Sequence, residues 1–74
     1  MEYLVRFGTV DVYAGGSKST ARMIATAFAH SYNVRDWQRM QLHIAAGDGR
    51  NEWMTTGILG HDAIEKVNDF FEHY

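Results

Sequence analysis

Apolar and polar residues alternate with period two at the start of the chain, then with the period of a helix. "YLVRF" and "VDVYA" are both alternating, and Gly8-Thr9 lies between them. Glycine at the first central position suits a two-residue type II′ turn, so these segments predict a β-hairpin. Closing the turn sets Phe7 opposite Val10, Arg6 opposite Asp11, Val5 opposite Val12 and Leu4 opposite Tyr13. One face then reads Tyr3, Val5, Phe7, Val10, Val12 and Ala14, apolar throughout. The other carries an Arg6–Asp11 pair with opposite charges facing across the strands. A single bent strand with a bulge at Gly8 is the rival arrangement.

From Ser17 to Asn33 the period becomes helical. Ala21, Ile24, Ala25, Phe28 and Tyr32 recur at i, i+3, i+4, i+7 and i+11 and predict one buried stripe. Alanines at 21, 25, 27 and 29 favour helix and permit close approach to a sheet. Asn33 suits the C-terminal cap. The last helix is the clearest: Gly60-His61-Asp62 open it, with Asp62 as N-cap or first-turn acid. Ala63, Ile64, Val67, Phe70, Phe71 and Tyr74 form its apolar stripe.

Residues 36–46 read two ways. As a helix, Asp36 would cap them and Gly47 would stop them. As a strand, Met40, Leu42 and Ile44 alternate with Arg39, Gln41 and His43. The strand is preferred here, because Asp48-Gly49 in "GDGR" makes a favoured hairpin turn into "EWMTTGI". The chain then reads hairpin–helix–hairpin–helix, ββαββα. That plan is an α+β fold with about four antiparallel strands and two helices on one face, a single domain over residues 1–74.

Composition narrows the chemistry. At 74 residues a lone core is small, and with no cysteine there is neither a disulfide nor a cysteine-bound zinc to reinforce it. The four histidines, His30, His43, His61 and His73, form no i, i+4 pair that would aim two imidazoles at one metal. No metal or cofactor is expected. No apolar run reaches the ~20 residues of a membrane span, and a cytoplasmic setting is the expectation. Residues 1–50 hold six basic and four acidic side chains, while 51–74 hold one basic and five acidic. A dedicated DNA-binding domain is usually plainly basic, so this balance argues against one.

"AGGSKSTA" at 14–21 looks like a phosphate loop with a letter wrong. A G-x-x-x-x-G-K-[ST] loop needs glycines where Ser17 and Val12 stand. The favoured explanation is a turn at Gly15-Gly16 and a cap from Ser17 or Ser19. Anion or nucleotide binding by Gly16, Ser17, Lys18 and Ser19 at the helix start is the alternative. No serine, threonine or histidine lies in a recognisable nucleophile motif, so an enzyme is not expected.

Two surfaces are candidates for contact. Leu4, Tyr13, Trp37, Arg39, Gln41, His43 and Met54 are expected to share the outer sheet face, a large apolar surface with aromatic and basic members. Asp62, Glu65, Asp69 and Glu72 form an acidic stripe on the last helix, with Lys66 placed to pair with Asp62. Asp69 and Glu72 sit near the negative end of that helix's dipole, which is unfavourable for acids unless a basic partner is met there.

The size, the composition and the α+β plan resemble small phage-encoded inhibitors of bacterial defence or host enzymes, anti-CRISPR proteins among them. The resemblance covers the whole chain but rests on no diagnostic motif, so no residue role carries over. It implies a viral, non-enzymatic protein-binding inhibitor in the host cytoplasm, masking a surface of a host protein or complex that processes nucleic acid or acts in defence. A nucleic-acid-binding sheet face is the alternative, and homodimerisation is left open.

Overall fold

The computed structural model describes residues 1–47 and 59–74 fully, and the backbone alone of 52–55. The fold is α+β: an antiparallel sheet with two helices in its core. Strands β1 (Tyr3–Phe7), β2 (Val10–Gly15) and β3 (Leu42–Ala46) lie in the order β2-β1-β3, and the backbone of β4 (Glu52–Thr55) runs beside β3. The helices are α1 (Lys18–Ala29) and α2 (His61–His73). Two short 3₁₀ turns, Ser31–Asn33 and Arg35–Trp37, connect α1 to β3. The Asp48-Gly49 turn lies outside the described residues.

Period-two alternation sends Tyr3, Val5 and Phe7 from β1, and Leu42, Ile44 and Ala46 from β3, into one core. Val5, Leu42, Ile44, Val67 and Phe71 are its largest fully buried side chains. Burying each is worth about 1.5–3 kcal/mol. The α2 stripe seats as its period requires, with Ala63, Val67, Phe70 and Phe71 buried and Ile64 and Tyr74 packed at the edge. The Tyr3 ring lies 6.0 Å from that of Phe71, and its hydroxyl donates to the Tyr74 carbonyl oxygen, tying β1 to the last turn of α2. On α1, Ala21, Ala25 and Ala29 are completely buried, and such small side chains let the helix backbone come close to its neighbours.

The hairpin turn forms at Gly8-Thr9, with Gly8 at φ 63°, the left-handed region the turn needs. Gly8 also donates its amide to the Gln41 carbonyl at 2.8 Å, joining the turn to the chain entering β3. Phe7 faces Val10 and Arg6 faces Asp11, but the register then slips by one residue at Val12, so Val5 pairs with Tyr13 and Leu4 with Ala14. This bulge corrects the unbroken alternation expected for β2. It moves Tyr13 to the helix-facing side, where it packs on the core, and leaves Ala14 opposite Leu4 on the other side. Val10, expected in the apolar face, stays 62% exposed at the hairpin end.

Two expectations for the middle of the chain also change. The first helix stops at Ala29 and not at Asn33, and His30 is its cap in place of Asn33. Ser31 Oγ donates to the Phe28 carbonyl at 2.6 Å, the local side-chain competition that ends helices. Within residues 36–46 the preferred strand forms only from Leu42; ahead of it Arg35–Trp37 is a 3₁₀ turn, and the helix that Asp36 would cap and Gly47 would stop does not form. Met40 keeps the alternation without being in the strand, half-buried against the core.

Candidate partner-binding surface

Of the side chains expected on the outer sheet face, Leu4 and His43 lie on the side away from the helices, while Tyr13 does not and Trp37, Arg39 and Gln41 lie outside the strands. Leu4 is only 3% exposed. Tyr13 is turned to the helix side by the bulge. Arg39 lies in the turn before β3, and Gln41 is exposed just outside the strand. Of the set, His43 occupies a true strand position, half-buried and paired with Arg6 of β1. The Met54 side chain lies outside the described residues. Arg6 in turn holds Asp11, Nε to Oδ1 at 2.7 Å, with both side chains substantially exposed.

Trp37 is displaced furthest from its expected place. It is carried by the second 3₁₀ turn, whose backbone is fixed by hydrogen bonds from the Trp37 amide to Val34 O and from the Met40 amide to Trp37 O. Its ring meets Phe7 edge-on at a centroid distance of 5.2 Å and lies 5.8 Å from Phe28, while Phe7 and Phe28 are 4.5 Å apart. Aromatic pairs at such spacings add to plain area burial. The cluster closes one end of the core, and its outer side stays open: Trp37 is 38% exposed. Ala27, Phe28 and Trp37 line a shallow apolar hollow of about 170 Å³.

Other exposed apolar groups lie near these residues in sequence. Met23 is 65% exposed and lies one turn from Ala27 on the same side of α1. Tyr32 and Val34, 49% and 40% exposed, belong to the connector that carries Trp37. Sequence reasoning missed Met23, Ala27, Tyr32, Val34 and Arg35 as surface residues. The signal was present in α1, which has no charged residue after Arg22 although its outer side faces solvent. A solvent-facing helix normally shows charge there.

The "GGSKST" stretch is built as a helix start. Ser17 Oγ accepts from the Thr20 amide at 3.2 Å and is also 2.9 Å from the Thr20 hydroxyl. The Ser17 amide donates to the Tyr13 hydroxyl at 3.0 Å, so a ring from β2 takes a donor that an anion would need. That contact explains Gly15, where a Cβ would sit 2.7 Å from the Tyr13 oxygen. Gly16, Lys18 and Ser19 are exposed beside it. Compared with family models, with curated proteins and with solved structures, the chain matches none.

On α2, Asp62, Glu65, Asp69 and Glu72 are all exposed. Gly60 is the N-cap and Asp62 is a first-turn acid. The ion pair expected between Asp62 and Lys66 is not formed: among the described residues, Arg6–Asp11 is the one salt bridge. His73 Nδ1 lies 2.8 Å from the Asp69 carbonyl oxygen and occupies the helix end locally. Among the described residues no three His, Asp or Glu side chains gather as a metal site, and no helix is long and apolar enough to cross a membrane.

Proposed function

We propose that this chain is a small non-enzymatic protein-binding module that works by covering a partner's surface, as the phage-encoded inhibitors it resembles do. The partner in this proposal is a host protein or complex concerned with nucleic acid or defence, met in the host cytoplasm. The ββαββα plan belongs to the proposal, with β4 as a full edge strand and both helices on one face of the sheet. The observation that supports this reading is the open outer side of the Phe7–Phe28–Trp37 cluster, with Met23 exposed one turn from Ala27 and Tyr32 and Val34 exposed in the connector that carries Trp37. Apolar side chains collected in one region mark contacts more often than scattered ones do. Aromatic anchors backed by a core supply most of the energy in such contacts.

A photo-crosslinking residue in place of Met23, and in a second protein in place of Glu65, tests it in the source cytosol. Adducts to one protein of defined mass from position 23, and none from 65, are expected. Adducts to nucleic acid, adducts from position 65 alone, or no adduct from either position would each count against the proposal.

A further inference from the structure

We infer that the occupant of the Ala27–Phe28–Trp37 hollow is an acidic segment of a partner protein, which seats one aromatic or leucine-like side chain there and turns its carboxylates to Arg35 and Arg39. The inference rests on the protein-binding proposal and adds the partner's chemistry to it.

Size sets the first condition. A hollow of about 170 Å³ is below the ~300–1,000 Å³ of ordinary small-molecule pockets, and its walls are apolar. It suits a single inserted side chain. Its back wall is stiff, because Trp37 is braced by Phe7 and Phe28.

Charge sets the second. Residues 12–47 carry Lys18, Arg22, Arg35 and Arg39 against Asp36 alone. Arg22 is engaged with Asn68 Oδ1 at 3.3 Å. Arg35 and Arg39 each stand two residues from Trp37, within ~8 Å along the backbone. Both are exposed, and among the described residues neither forms a salt bridge. The other elements lining the hollow add no acid, since α1 contains none. An apolar recess with an exposed arginine two residues before and two residues after its Trp37 wall matches an anchor residue flanked by carboxylates, which arginine can bind through two parallel hydrogen bonds.

Two other occupants fit less well. The acidic stripe of a second copy would bring carboxylates but no free anchor, because the large apolar residues of α2 are buried or half-buried. Nucleic acid would find stacking and arginines, but the recess is concave and the whole chain carries a net charge of −2.

Selection of displayed random peptides on the intact protein tests the inference, followed by titration of the winners at low and high salt. The probes are those peptides and, separately, oligo(dT). Winners should carry one aromatic or leucine among several Asp and Glu. Their binding should weaken at least about tenfold in Arg35→Glu/Arg39→Glu and fall as salt rises. It should be lost in Trp37→Ala and, should that variant unfold, in Ala27→Glu, which changes an exposed position. Winners with neutral or basic flanks that still need Trp37 would overturn the acidic partner and leave the contact surface standing. Winners indifferent to both Trp37 and Ala27, no winners at all, or tighter binding of oligo(dT) would overturn both.

Discussion

Helix α2 and the connector of residues 30–41 obey different rules. Every apolar position of α2 that repeats with the helical period is buried or half-buried. In the connector Tyr32, Val34 and Trp37 are apolar too, yet all three remain at least 38% exposed. The difference lies in length: the connector also bonds its own amides, Val34 to Ser31, Trp37 to Val34 and Met40 to Trp37, but in three-residue turns too short to repeat a stripe. A long helix satisfies its own amides and is free to roll its stripe into the core. A connector of two 3₁₀ turns is shaped by its attachments, here the Ser31–Phe28 contact and the ring contacts of Trp37 with Phe7 and Phe28. The apolar surface it exposes is therefore a product of the fold and not of a repeating pattern.

The largest effect should come from Phe71→Ala, which empties a site only 1% exposed and takes the partner from Tyr3. A loss of about 3–5 kcal/mol in urea unfolding is expected, as for other buried aromatic truncations. A loss below that of Trp37→Ala would reverse the ranking of the two regions. Trp37→Ala should cost less, about 1–3 kcal/mol, because the ring is 38% exposed and has a neighbour on one side only. Its near-ultraviolet circular dichroism should change while the far-ultraviolet helix signal persists. Collapse of both signals would show that the connector holds the core together and is not only seated on it.

Ser17→Ala comes next, at about 1 kcal/mol for a lost N-cap, read as a shift in the denaturation midpoint. Lys18→Ala alongside it should be neutral, and phosphate affinity that disappears with Lys18 would revive the anion site. The smallest effect belongs to exchanging Arg6 and Asp11. Both side chains are substantially exposed, so the swapped pair should stay within about 0.5 kcal/mol of the original. A larger loss would mean that one of the two has a further role on the sheet.

The α+β class, the turn at Gly8, the Arg6–Asp11 pairing and the buried stripe of α2 were legible in residue order alone. Each depends on near neighbours in sequence, through a period, a turn conformation or a cap. Tyr13, Trp37 and Arg39 were misplaced because their positions depend on distant groups. The slip at Val12 places the Tyr13 hydroxyl at the start of α1, beside a glycine that leaves it room. Neither strand alternation nor helix propensity contains that contact. Trp37 is placed by Phe7 and Phe28, residues of two other elements that come together only in the folded chain. Local sequence thus determined which segments could be strands and helices. Tertiary packing decided where the strand slipped and which aromatic face was left to solvent, because burial energy is shared among side chains far apart in sequence.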